Sequence, residues 1–403
     1  MTIRHRRSGV LLRTVAFCLS AGVAWACGQQ ATPARALERP ASVAPIKSVA
    51  EIRDLDIEYF SERAKRDPTG GGDLAHVASL LLARSRETGD PRDAVASELA
   101  ARRSLKNRPE RNGQARQVLS AALLAQHRFA EALQVERSVR DADPENAAIQ
   151  ASVAEIEMEL GQYDSAAVHF AGIHYLDGDL AVLPRLSRWA EIQGDVKKSR
   201  AFQHAAIVAA SRSQNIPAEQ MGWFWLRAGD IELRAGNAHA ADSAYRTGLK
   251  LHPGDHRLYS ALARSAAAQH RYRTAIAFGE EALTTVLDPA TLGTLSDAYL
   301  AVGDTAKAAD YARALEVSVS TQPGAYHRAW SLFLLDHERE VPRVAQKARE
   351  ELATRKDIYG YDIMAWALHR EHRDIEARTA MAMALRTGST DPLLLRHARE
   401  IGR

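Results

Sequence analysis

The 403-residue chain has only two cysteines, Cys18 and Cys27, and both lie before residue 30. Neither a disulfide framework nor a cysteine-ligated metal site can therefore organise the rest of it. Aromatic residues make up 6%, and no stretch between Gly28 and Arg403 sustains the period-two alternation that a half-buried strand requires. Almost no strand is expected. Also missing are a phosphate-binding loop, a nucleotide-binding glycine fingerprint and the elbow motif of serine hydrolases. His369-Arg370-Glu371-His372 places two histidines three apart but does not match the zinc-protease pattern. The chain is thus expected to be no enzyme, with no catalytic residue, metal or cofactor. Its formal charge of +3 becomes −1 once Arg4, Arg6, Arg7 and Arg13 are set aside as part of a leader that contains no acid. Such a near-neutral balance argues against a nucleic-acid binder and against general attachment to anionic lipid.

The one long apolar run spans Val10 to Ala24, between basic Arg4-His5-Arg6-Arg7 and the small-x-small step Ala24-Trp25-Ala26. Residues 1–26 read as an export signal, because the run is too short and too promptly followed by polar sequence to span a membrane. The segment resembles a bacterial lipobox, with Ala24 in place of the usual leucine and a bulky Trp25 before Ala26. That resemblance implies acylation of Cys27 and a periplasmic or outer-membrane lipoprotein. Gly28 in place of an aspartate after the cysteine favours the outer membrane by the same resemblance. Cleavage of the same bond by the ordinary signal peptidase would instead leave a soluble periplasmic or secreted chain, and both routes stand open. With more than one acyl chain the anchor would hold stably, at about 0.8 kcal/mol per buried methylene. Residues 27–47, carrying Pro33, Pro40 and Pro45, read as a disordered tether.

Structure is expected to begin at the capping box Ser48-Val49-Ala50-Glu51, which opens a leading helix over 48–68. Its apolar positions are Ile52, Leu55, Tyr59 and Phe60. From residue 73 to 391 one unit recurs, and Gly222 to Asp255 displays it most clearly. Trp225, Ala228-Gly229 and Ala235 mark a first helix, Gly236-Asn237 a break, Ala241, Tyr245 and Gly248 a second helix, and Pro253-Gly254 a stop. This helix-turn-helix pattern of about 34 residues resembles the tetratricopeptide repeat. The resemblance implies a right-handed superhelical α-solenoid, all-α, of about nine hairpins, closed by a polar capping helix over 392–403.

The residue at which each hairpin reverses sets the register. The series is Gly89, His127, Gly161, Gly194, Gly236, His270, Gly303, His337 and His372, with spacings of 38, 34, 33, 42, 34, 33, 34 and 35. The two long spacings locate insertions around 108–112 and 211–220. A residue closing a helix adopts the left-handed conformation, which glycine occupies freely and histidine tolerates better than most. The four histidines are therefore read as turn residues.

The concave groove, lined in tetratricopeptide proteins by the first helix of each hairpin, is where partners are expected. Register places Arg185, Arg188, Glu191, Trp223, Arg227, Asp230, Arg257, Arg264, Asp297, His327, Arg328, Tyr359, Asp362, Trp366 and His369 there. Arginines exceed acids in this set, which implies a protein or peptide partner with acidic segments or a C-terminal carboxylate. The lysine and asparagine pattern of carboxylate-clamp tetratricopeptide domains is absent. A non-enzymatic scaffold of the bacterial cell envelope, touching the membrane only through its lipid anchor, is the leading expectation. The alternative is a carrier that holds unfolded exported chains through aromatic patches at Trp223 and Trp366.

Overall fold

The computed structural model describes residues 48–175, 177–320 and 328–402. The leader, Cys27, the tether and His327 lie outside the described residues. Twenty α-helices and no strand occur among the described residues. After α1 (Val49–Arg66) come nine hairpins. They are α2/α3 (Gly72–Thr88, Pro91–Asn107), α4/α5 (Gly113–Ala125, Phe129–Ala142) and α6/α7 (Ala147–Glu159, Tyr163–Ala171). Next are α8/α9 (Leu183–Ile192, Val196–Arg212), α10/α11 (Ala218–Arg234, Ala238–Leu251) and α12/α13 (His256–Ala268, Tyr272–Leu283). The last three are α14/α15 (Pro289–Ala301, Thr305–Ser320), α16/α17 (Arg328–Asp336, Val341–Leu352) and α18/α19 (Ile358–Arg370, Asp374–Ala384), before a final α20 (Pro392–Ile401).

Local sequence explains these boundaries. Asn146, Asp255, Asp288 and Asp357 cap the first helices α6, α12, α14 and α18, each accepting a backbone N–H two or three residues on. Ser48 and Glu51 form both halves of the capping box of α1. Within the turns, Gly161, Gly194, Gly236, Gly303, His127, His270 and His372 all have positive φ. The next residue donates its N–H five positions back, as Gln162 does to Glu157 and Asn237 to Glu232, both at 2.8 Å. This closes those seven first helices with a Schellman-type turn, whereas α2 ends at Gly89, φ 69°, whose N–H donates four positions back to Ser85. His337 departs from the expected register. There Glu338 is the left-handed residue, at φ 52°, and Arg339 returns the bond to Leu334. Residue preference pointed to the histidine, but the hydrogen-bond count places the reversal one residue later.

Hairpins pack closely because their facing positions are small. A Cβ on Gly229 would overlap the Tyr245 ring, and Cβ atoms on Gly248 and Gly279 would stand 2.9 Å from Leu258 and 2.8 Å from Leu295. Each hairpin meets the next, and first helices also meet directly, α2 with α4, α6 with α8, α10 with α12 and α16 with α18. The first helices therefore form the inner layer.

A nearest-neighbour stack is only part of the architecture, because the superhelix returns onto itself within residues 48–403 and forms a seam. The Lys356 N–H donates to the Leu160 carbonyl at 3.0 Å, and Arg355 Nε donates to the Glu159 carbonyl at 2.9 Å. Ile358 N–H donates to the Tyr163 hydroxyl at 2.9 Å, across 195 positions of sequence. Ile358 and Leu394, both fully buried, join the apolar cluster of Ala151, Met158, Phe170 and Leu186 from α6 to α8. The final helix is accordingly more than a polar cap. It presents Arg396 and Arg399 outward, but Leu394, His397 and Ile401 are buried. Fully burying a leucine such as Leu394 contributes roughly 2 kcal/mol.

Candidate functional site

On the inner layer, helical spacing aligns Arg227, Asp230 and Arg234 on one face of α10, opposite Arg188 and Glu191 on α8. Glu191 accepts from Arg234 at 2.6 Å and from Arg227 at 3.1 Å, and Arg188 stands 3.0 Å away. Burial works against the Glu191 carboxylate, but Arg188, Arg234 and Arg227 outweigh it and hold its pKa down at about 2. Asp230 pairs with Arg227 at 3.0 Å and accepts the Tyr245 hydroxyl at 3.0 Å, with Arg264 at 3.7 Å. Asp230 is likewise buried, and Arg234, Arg227 and Arg264 keep its pKa below the ordinary value. The lattice runs on to the C-terminal hairpin. Arg188 donates to the Tyr359 hydroxyl at 3.3 Å, and Arg328 stacks 4.5 Å from the centre of the same ring.

Two cavities flank this lattice. One, of about 890 Å³, is lined by Arg185, Arg188, Arg227 and Arg257 together with Arg86, Glu155, Glu219, Leu180, Pro184, Trp223 and Phe224. The other, of about 530 Å³, is lined by Asp230, Arg234, Arg264, Asp297, Arg328 and Asp336 among others. Asp297 receives His337 Nε2 at 2.8 Å.

The sequence-predicted residues thus divide into three groups. Arg188, Glu191, Arg227, Asp230 and Arg264 belong to the charge lattice, with Tyr359 at its end. Arg185, Trp223 and Arg257 face the larger cavity, and Asp297 and Arg328 the smaller. Asp362 and Trp366 face neither. Asp362 is fully buried, held by His397 Nδ1 at 2.7 Å and by Arg328 at 3.4 Å. Trp366 is 2% exposed, donates to Asp336 at 3.0 Å and stacks 4.4 Å from His397. It is core, so the aromatic patch expected there is not on the surface. His369 packs against it at 5.3 Å.

Inspection of partners shows that the predicted arginines are engaged, some of them sharing one carboxylate. Arg185 pairs with Glu155 and Arg257 with Glu219, both at 2.7 Å, and Arg188, Arg227, Arg264 and Arg328 pair as described. All six predicted arginines have a carboxylate within the chain. Sequence reasoning missed Arg234, Tyr245 and Arg86. Arg234 carried a signal, being four residues after Asp230 on the same helix face. Arg86 carried none, because it reaches the cavity from across the superhelical turn. Among the described residues no group of three His, Cys, Asp or Glu side chains is placed to hold a metal ion.

No curated protein matches the chain by sequence. A tetratricopeptide-repeat family model matches residues 123–179. Among solved structures, human IFIT1, determined as a dimer with m7Gppp-AAAA, aligns at 13% identity over 83% of this chain and 77% of its own, with a TM-score of 0.51. A chain of the APC/C hetero-tetramer Cut9–Hcn1 aligns at 14% identity over 88% of this chain, with a TM-score of 0.49, and the match spans 59% of its own length. PilW, described as a widely conserved type IV pilus biogenesis factor, aligns at 16% identity over 56% of this chain and 99% of its own, with a TM-score of 0.42. The chain has the fold of a tetratricopeptide-type α-solenoid, and a tetratricopeptide repeat lies within it.

Proposed function

We propose that the chain is a non-enzymatic protein–protein interaction scaffold of the bacterial cell envelope, tethered through Cys27, that holds partner proteins or peptides against the inner face of its superhelix. Tetratricopeptide folds generally mediate protein–protein interaction, and solenoids do so along concave surfaces. The observation that carries the reading here is the 890 Å³ cavity, where arginines and carboxylates meet an apolar wall of Leu180, Pro184 and Trp223. A mixed wall of this kind suits peptide recognition. The carrier reading loses support, since Trp366, one of its two aromatic anchors, is buried.

A photo-crosslinking residue at Gln220, which lines the cavity, and another at Val168, 71% exposed on the second helix α7, test the reading in living cells. Discrete protein adducts from Gln220 and none from Val168 are expected. Equal adducts at both positions, or none at Gln220, refute it. Intact mass of the membrane-extracted protein tests the anchor, with diacylglycerol and acyl additions at Cys27 as the expected result.

A further inference from the structure

One wall of the larger cavity comes from far upstream. Gly89, just after α2, lies so close to Val286 in the α13–α14 connection that a Cβ would stand 2.6 Å from a valine methyl. The end of α2 is thereby seated on the following turn of the superhelix. Arg86, one helical turn before Gly89, joins Arg185, Arg188, Arg227 and Arg257 around the same space.

Arg86 differs from the other four in its partners. Each of those has a carboxylate within 3.1 Å. Among the described residues Arg86 has no ion pair, and its guanidinium makes no hydrogen bond, although its side chain remains accessible. The opposing charge acting on it through space is Glu219, which Arg257 already holds at 2.7 Å. Burial disfavours the charged form of Arg86, Glu219 counters this in part, and Arg257 adds to it by repulsion. An arginine stays charged at neutral pH regardless. Among the described residues Arg86 is therefore the one guanidinium of the cavity lining without an ion pair, and it is free to pair with a bound anion.

We infer that Arg86 forms an oxyanion-binding subsite that takes one carboxylate of a peptide ligand, with a neighbouring apolar side chain of that ligand on Trp223, Leu180 and Pro184. The inference rests on the scaffold reading and names the group that the scaffold recognises. A single carboxylate matches the single guanidinium of the lining that lacks an ion pair among the described residues. Guanidinium also pairs with carboxylate in a planar two-bond geometry that fixes the ligand's direction.

The test uses the full chain and Arg86→Ala on three hexapeptide arrays with randomised inner residues. One array ends in leucine with a free carboxylate. The second ends in leucine amide with one internal glutamate, and the third ends in leucine amide without acids. Arg86 anchors no other side chain, so the variant is expected to melt with the parent, and Arg86→Lys to keep part of the binding. At least one carboxylate array should bind roughly tenfold more strongly than the neutral array, and Arg86→Ala should abolish that margin. The arm that binds identifies the source of the carboxylate. Equal binding to all three arrays, no binding to any, an unchanged margin in Arg86→Ala, or full displacement by millimolar inorganic phosphate each overturns the inference. If adducts from Gln220 persist while the arrays show no margin, the scaffold reading survives and the carboxylate subsite does not. If adducts from Gln220 are absent, the scaffold reading fails first.

Discussion

The seam between superhelical turns makes a quantitative demand on Gly161. Its φ is +75°, and a Cβ there would overlap the backbone of Lys356 and Asp357. Gly236 occupies the same position in another hairpin at φ +81°, but with nothing within 4 Å of the corresponding Cβ. Gly161→Ala and Gly236→Ala therefore share the left-handed backbone cost of about 1 kcal/mol. Only the first must also part the seam. Parting it gives up three hydrogen bonds, from Lys356 to Leu160, from Arg355 to Glu159 and from Ile358 to Tyr163. At about 1 kcal/mol each, Gly161→Ala should exceed Gly236→Ala by about 3 kcal/mol. Hydrogen exchange reads this locally. The Lys356 and Ile358 amides should exchange on the order of a hundredfold faster in Gly161→Ala and at the parental rate in Gly236→Ala. If the two variants lie within about 0.5 kcal/mol of each other, or those two amides keep their protection, the seam contributes nothing and the reasoning fails.

Two further outcomes can be checked by denaturation. Glu191 is depressed from an ordinary 4.5 to about 2, so its contribution is fully present above about pH 4.5 and is lost as pH falls through its folded value. That contribution is roughly 3 kcal/mol. Glu191→Gln should cost about that much at pH 7, removing the carboxylate that Arg188, Arg227 and Arg234 share, and should flatten the stability curve between about pH 5 and 2. An unchanged acid limb would rule the lattice out as the source. At the α16/α17 turn, Glu338→Gly should gain about 0.5–1 kcal/mol by relieving a left-handed glutamate. His337→Gly should lose stability, because that residue is not left-handed and contacts Asp297 and Phe333. The reverse ranking would restore His337 as the turn residue.

The hairpins were legible because they depend on local sterics. A residue that tolerates positive φ, placed about every 34 positions among small packing residues, announces a reversal whatever surrounds it. Only where a glutamate takes the left-handed role did the sequence mislead, since residue preference ranks histidine above glutamate there. The lattice was half legible. Helix periodicity put Arg188, Arg227, Asp230 and Arg264 on the inner face, but it could not say whether their charges were spent internally. Glu155 and Glu219, which neutralise Arg185 and Arg257, sit 30 and 38 positions away from them. Those distances are set by the repeat geometry and the second insertion.

What the sequence could not disclose follows from treating a solenoid as one-dimensional. In that picture stability is a sum of units and their nearest interfaces, and the inner face is an open groove. A superhelix that closes within about 195 residues violates both assumptions at once. The hairpins around α6 and α8 share an apolar cluster with α18 and α20, so fraying at the C-terminal end exposes Met158, Phe170 and Leu186 in the middle of the chain. The same closure seats α2 on the α13–α14 connection and delivers Arg86 to a cavity whose other walls come from α6, α8, α10 and α12. Cooperativity and the composition of the cavity are consequences of one geometric fact, the tightness of the superhelix. A partner that needs Arg86 must therefore also favour the closed form, and by linkage its binding would protect the seam amides of Lys356 and Ile358.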